Sequence, residues 1–452
     1  MGEKDLLRLS ENGDLLGLKD RDVKSIRIPD GVRYICKGTF MRCPNLQSVY
    51  IPKSVEHIAG VAFMECKNLQ SVTFLDNDKR ANTLVVDDRA FEGCISLQAI
   101  NLPEQVELRR DVFSGCTSLD NVVIFSMYGK SLIHYLPSNQ ATEYRIPDEV
   151  TIIGKYAFKD CTSLQSIIIP EGLEQIDDFA FEGCTSLQKV FIPKSVTTIG
   201  KMAFDSCVSL MAIDVDKENQ RYLSYKGVLF DYFNSSIVRF PPNNPNETHI
   251  ESIPNYVRHI DSGAFASCKY IKSITIPVSV VSISDFAFQD CNSLQKVNFQ
   301  GKKIDSIRSL CFSGCISLNS INLPDNVTEI EEGAFWGCTS LQSIVLPKDL
   351  TLIGYSAFCE CKALHSIFIP KKVTCIEGDD LGYGFYGAFK DCSSLSSIHC
   401  AILNPNDIEI GEDVFDGVDM DVCTFFVPKD TLEEYRNHLI FGRFNKIVEE
   451  KV

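Results

Sequence analysis

The residues of this chain best suited to chemistry are its 19 cysteines and seven histidines, together with one glycine-rich run. A cysteine attacks, or binds metal, as its thiolate, and a zinc site asks for ligands converging from paired Cys-x2-4-Cys knuckles. Cys359-Glu360-Cys361 comes nearest to that spacing, and no second pair accompanies it. A nucleophilic triad needs a base beside Ser or Cys and an acid behind the base; the histidines are scattered, and none adjoins an evident nucleophile and carboxylate. Gly382-Tyr383-Gly384-Phe385-Tyr386-Gly387 is a literal Gly-x-Gly-x-x-Gly. Such a turn cradles a dinucleotide only between a strand and a helix. Here it sits in an expansion just ahead of Ala388-Phe389 and reads as a loop carrying exposed aromatics. The expectation is therefore a non-enzymatic chain with no cofactor and no metal.

The cysteines are positioned by a repeat. Phe181, Cys184, Leu187, Val190, Ile192, Pro193, Val196 and Ile199 set a pattern that restarts at Phe204, 23 residues after Phe181. Thirteen of the 19 cysteines occupy its one cysteine slot, behind Phe40, Phe63, Phe91, Phe113, Phe158, Phe181, Phe204, Phe265, Phe288, Phe312, Phe335, Phe358 and Phe389. A weaker unit at Phe415 has Val418 in that slot. Stacked units would hold these thiols about 5 Å apart and parallel, whereas a disulfide wants Cβ atoms at about 3.8 Å and turned toward each other. Buried free thiols are expected, which favours a reducing compartment. Cys36, Cys311, Cys359, Cys375, Cys400 and Cys423 fall off the register and are the ones to test for reactivity.

A single unit buries too little to offset the ordering of its backbone, so such units stack. The Leu-x-x-Ile-x-Ile segment alternates like a half-buried strand, with Leu164, Ile167 and Ile169 inward and Ser166 and Ile168 outward. Leu6-Leu7-Arg8-Leu9 and Leu15-Leu16-Gly17-Leu18 flank Asn12-Gly13, a tight-hairpin signal. The expected layout is a hairpin cap over 1–35, a solenoid over 36–427 and a terminal cap over 428–452. Variant units are expected at 120–157 and 211–264, where one or more anchors are missing, and the stretch from Pro241 to Glu247 reads as an exposed loop or hinge and as the place where the chain would divide. Asp430-Thr431-Leu432-Glu433 has the form of a reciprocal helix cap, predicting a short helix from Thr431 to about His438.

A net charge of −16 disfavours a nucleic-acid partner, because such affinity rests on Lys and Arg neutralising phosphates. No apolar run approaches the roughly 18 residues of a membrane span. The acidity is expected to keep the chain monomeric. Without a visible leader after Met1 the expected location is cytoplasmic, or the cell surface or exterior if a leader has been removed.

Ala180-Phe181-Glu182-Gly183-Cys184-Thr185-Ser186-Leu187, followed by Ile192-Pro193-x-x-Val196-x-x-Ile199-Gly200, resembles the BspA-like class of leucine-rich repeats of Bacteroidetes type. The resemblance implies an α/β-type solenoid that is mostly β, a curved leucine-rich-repeat right-handed superhelix with an N-terminal hairpin cap and a C-terminal helical cap. It also implies proteins often found at surfaces, where they mediate adhesion to host matrix proteins or other cells. The outward strand positions carry the remaining functional signal. One column is mostly serine, while the other places Tyr50, Ile168, Phe191, Val345, Phe368 and His399 outward, and exposed apolar groups on a polar surface mark interaction sites. A scaffold that binds a protein partner through this face is expected first. A surface adhesin for host matrix or carbohydrate, stacking sugars on Tyr50, Phe191, Phe368, Tyr383 and Tyr386, is the alternative, and a hydrolase using His399 or another histidine the second.

Overall fold

The computed structural model describes residues 6–75, 82–103, 105–109, 112–119, 123–125, 130–135, 140–245, 253–378 and 386–450. The chain falls into two compact units, residues 1–187 with 193–204 and residues 188–192 with 205–452. Each is a mostly-β solenoid in which one repeat makes one turn, and helix is confined to short segments.

The repeat builds its turn from three segments, each bonded to the next turn. In the first, alternation puts Leu164, Ile167 and Ile169 in the core and leaves Ile168 exposed. These strands run parallel to their neighbours one repeat away, as in Ser48↔Ser71 and Val49↔Val72 or Ser320↔Ser343 and Ile321↔Ile344. The second segment is a two-residue strand that periodicity alone did not reveal: Ile176 pairs with Ile199 in the first unit, and Ile330 with Ile353 in the second. The third is the turn holding the phenylalanine, where the Phe158 amide donates to Ala180 O at 2.7 Å and the Asp160 amide to Glu182 O at 2.8 Å. That turn needs a left-handed residue two positions after the phenylalanine, Asp160 at φ 57° and Gly183 at φ 73°. Glycine, and the short polar residues that tolerate this region, suit the position.

Phenylalanine and cysteine together close the core. Successive rings stack nearly parallel, 5.0 Å and 11° for Phe158 on Phe181, and 5.4 Å and 6° for Phe335 on Phe358. Slot thiols donate back to the anchor carbonyl of the preceding turn: Cys184 Sγ to Phe158 O at 3.0 Å, Cys338 to Phe312 O at 3.1 Å, Cys361 to Phe335 O at 3.3 Å. The same carbonyl accepts the amide of its own turn's cysteine, as Phe312 O does from Cys315 N at 3.2 Å. The slot therefore asks for a small apolar group whose long bonds bring a weak donor to that oxygen.

The two variant units fill the anchor slot with other residues. In the first, Val123–Phe125 pairs antiparallel with Ser131–Tyr135. Tyr135 takes the phenylalanine position, its amide donating to Ala157 O at 2.7 Å and its ring 5.2 Å from Phe158. In the second, Tyr222–Tyr225, Val228–Asp231 and Ser236–Arg239 form an antiparallel meander. Phe240 is its anchor, donating to Ala264 O at 2.7 Å and stacked 5.5 Å from Phe265. Neither has a cysteine three residues on, which is why the pattern appears interrupted. The alanine before the phenylalanine becomes His134 in one and buried Arg239 in the other, with Arg239 Nη1 donating to Gly263 O.

In the stretch expected as an exposed loop, Pro241, Pro242 and Asn244 are buried and Asn243 and Pro245 exposed, while Asn246 and Glu247 lie outside the described residues. Asn244 is buried with its amide donating to Lys226 O at 2.9 Å, and the Asn243 amide donates to Leu210 O at 2.9 Å. The division between units falls upstream of them. The hairpin Leu7–Leu9 and Leu15–Leu18 turns at Gly13 (φ 84°) and joins the short-strand ladder through Leu15↔Ile35. At the other end the helix spans Leu432–Asn437 with Thr431 as N-cap, but the reciprocal cap does not form. The Thr431 hydroxyl donates backward to Pro428 O at 2.8 Å, while Asp430 is left-handed at φ 65° and gives its amide to Glu449 Oε1 at 3.0 Å. Tyr435, Phe441 and Phe444 pack around Phe425, and Lys446–Glu449 adds a final strand parallel to Thr424–Val427.

Two expectations follow from these contacts. Replacing Cys338 by alanine removes a thiol bond and buried volume and should cost about 1 to 2 kcal/mol, read from the shift in urea midpoint. Serine should cost more, because its shorter C–O bond leaves a buried hydroxyl out of reach of Phe312 O. Burial pushes the His134 imidazole down to about 4. The unfolded chain takes up this proton near pH 6.5, so stability should fall as pH drops from about 6.5 toward 4. His134→Ala should flatten that part of the stability profile, and an unchanged slope would show that other groups cause it.

Candidate functional site

Between the two inward residues of each long strand stands one outward residue, and the strand register decides which of these become neighbours. In the first unit the row reads Arg27, Tyr50, Thr73 and Asn101, so Tyr50 is set among polar groups. Ile168 lies beside Arg145. In the second unit Phe191 neighbours Asp214, and Val345 neighbours Asn322 on one side. The far end differs: Phe368, His399, Phe426 and Val448 stand in register on four successive parallel strands. Val345, on the strand Ser343–Val345, lies one turn before Phe368 and is 72% exposed. Of the six residues expected on this face, the structure gathers Val345, Phe368 and His399, and it adds Phe426 and Val448. The sequence carried a signal for Phe426, since Thr424-Phe425-Phe426-Val427-Pro428 has the same form as Ser366-Ile367-Phe368-Ile369-Pro370.

Geometry fixes how these groups meet a partner. The His399 ring lies flat on Phe426, centroids 4.4 Å apart at 7°, and His399 Nδ1 is 2.6 Å from Glu450 Oε1. Rings stacked on one another turn their edges to solvent and hide part of their faces. Edges carry the positive end of the ring quadrupole, which suits side chains and carbonyls better than the face of a sugar. A parallel row of hydroxyls, Ser366, Ser397 and Thr424, borders the apolar one.

Other candidate chemistry is placed less productively. His259 Nδ1 is 2.8 Å from Ser282 Oγ, and Asp261 stands two residues along the chain, but Asp261 Oδ2 accepts from Ser236 Oγ at 2.8 Å. Among the described residues, no three or more His, Cys, Asp or Glu side chains gather as a metal site. The glycine-rich run lies mostly outside the described residues. Its last members, Tyr386 and Gly387, lead into the Phe389 turn, with Lys390 Nζ 4.2 Å from the centre of the Tyr386 ring.

All 19 cysteines are free. Of the six off-register ones, Cys311, Cys359, Cys400 and Cys423 are buried, and Cys36 and Cys375 are half-buried. Burial raises the thiols of Cys359, to about 12, and of Cys375 and Cys423, to about 11. These groups are held as thiols rather than as nucleophilic thiolates.

Paired parallel ladders, one turn per repeat and an aromatic column through the core define a leucine-rich-repeat solenoid. The particular kind follows from the repeat itself: the chain belongs to the BspA-type leucine-rich repeat family, whose model matches residues 18–131, 134–248, 243–332 and 305–439. A leucine-rich cell surface protein from Faecalibacterium prausnitzii A2-165 is 27% identical, over 87% of this chain and 92% of that one, with a TM-score of 0.48. The pneumococcal vaccine antigen PcpA is 19% identical, over 98% and 96%, with a TM-score of 0.53. A leucine-rich-repeat protein from Bacteroides ovatus ATCC 8483 is 23% identical, over 98% and 97%, with a TM-score of 0.41. No curated protein matches this chain. No described helix is long and apolar enough to cross a membrane.

A thiol-directed disulfide reagent applied to the native protein at about pH 8 should titrate Cys36 and Cys375 at most. All 19 should react after denaturation. Rapid labelling of further cysteines in the native state would contradict the burial of the thiol column.

Proposed function

We propose that the protein is a non-enzymatic recognition scaffold that docks a protein partner on the strand face of its second unit, through Val345, Phe368, His399, Phe426 and Val448. The observation that carries this reading is the unbroken register of Phe368, His399, Phe426 and Val448 on neighbouring strands. Singly exposed apolar residues are ordinary on any surface, whereas a contiguous row is not. Phe368 is 48% and Val448 44% exposed, so a partner covering them would remove apolar area from water at a rigid, preformed site. Tyr50, Ile168 and Phe191, each beside a charged or polar neighbour, would contribute less. The stacking of His399 on Phe426 favours a peptide or protein surface over a glycan as the occupant.

Phe368→Ala combined with Phe426→Ala should leave stability within about 0.5 kcal/mol of wild type, because neither ring supports the core. It should weaken capture of the partner from host-matrix and cell-surface extracts by at least about tenfold, the loss expected of central aromatic anchors. Phe191→Ala should have a smaller effect. Equal capture by the double variant and wild type would refute this face as the docking site, and capture of a glycan on an array, lost in the same variant, would transfer the row to a carbohydrate ligand.

A further inference from the structure

Among the described residues, the strand Lys446–Glu449 is the outermost member of its four-stranded sheet, paired on one side only with Thr424–Val427. The Glu450 amide donates to Val427 O at 2.8 Å. In a parallel strand the residues alternate in the direction of their backbone groups, so Lys446, Val448 and Glu450 turn their amides and carbonyls toward the neighbouring strand. Ile447 and Glu449 turn theirs to the open edge. Such an edge is a template for another strand.

We propose that this edge pairs with the same edge of a second copy of the chain, antiparallel about a two-fold axis through Val448. Backbone direction and side-chain chemistry select this register independently. The two-fold places Ile447 opposite Glu449 of the second copy, and these are the residues whose backbone groups face outward, so each such pair exchanges two hydrogen bonds. It places Val448 opposite its own counterpart. It places Lys446 opposite Glu450 of the second copy at a non-hydrogen-bonded position, where facing side chains approach closest. Charge is thus self-complementary: a cation meets an anion at each end and a valine pair lies at the centre. Lys446 is exposed, and the Glu450 carboxylate, 47% exposed and bonded to His399 through one oxygen, has its second oxygen to offer.

The edge is short, so the contact falls below the area of a stable interface and forms a weak dimer, with dissociation in the range of about 100 μM. The pairing joins the two sheets into one eight-stranded surface, and the row from Phe368 to Val448 continues into its mirror sequence on the second copy. It stands apart from the identity of whatever that row binds.

Sedimentation equilibrium of the full chain from about 1 to about 300 μM should show a monomer–dimer equilibrium. Lys446→Glu, at a side chain with no ion-pair partner among the described residues, should weaken it at least about tenfold by setting like charges opposite one another. Glu450→Lys should do the same, and the double variant K446E/E450K should restore dimerisation, because each new anion then faces a new cation. V448C should form a symmetric disulfide dimer under mild oxidation, independently of the charge variants. A monomer across the whole range, association unaffected by either single reversal, or a double variant that stays monomeric would each overturn the proposal.

Discussion

The structure depends on one shared acceptor, the carbonyl of the anchor phenylalanine. Phe312 O takes the amide of Cys315 in its own turn and the thiol of Cys338 in the next, so that one oxygen both closes a turn and ties it to its successor. The ring on the same residue stacks on the next ring, and the residue's own amide donates to the next turn's alanine carbonyl, 2.8 Å from Phe312 to Ala334. Side-chain packing and backbone bonding are thereby matched to the same spacing. That match frees the outer residues of the strands from any structural duty.

Much of this architecture was legible in the sequence because its determinants are local. Phe, Cys, Leu and the Ile-x-Ile-Pro strand recur at fixed offsets, and nearly all are buried where the offsets predict, Ile100, Phe299 and Leu323 being half-buried. What failed to show was whatever depended on a partner chosen in space. Tyr135 and Phe240 are anchors by their bonds to Ala157 and Ala264, but with no cysteine behind them they look like gaps. Asp430 has the right spacing for a cap, yet Glu449, far along the chain, takes its amide and the backbone turns left-handed.

The candidate site was half legible for the same reason. Phe368, His399, Phe426 and Val448 are neighbours in the sheet, but the steps between them are 31, 27 and 22 residues rather than a constant 23. A strict period finds Val345 and Phe368, loses count at the expanded loop, and dissolves the end of the row into the cap. It also gives equal standing to Tyr50, whose strand neighbours turn out to be polar or charged, and to Phe191, which pairs with Asp214. Outward direction is a property of one strand, whereas a surface is a property of several.

The thiol ladder has a polarity. Cys184 reaches back to Phe158 and Cys338 to Phe312, and in every such contact the later turn supplies the donor to the earlier one. During synthesis the N-terminal turns emerge first, each presenting a carbonyl already half satisfied and waiting for the turn that follows. Folding by addition at the growing end is thus built into the bonding, each finished coil acting as the mould for the next. At Val418 the slot itself carries no thiol, and after one more strand, Thr424–Val427, the chain changes to a helix and a closing strand.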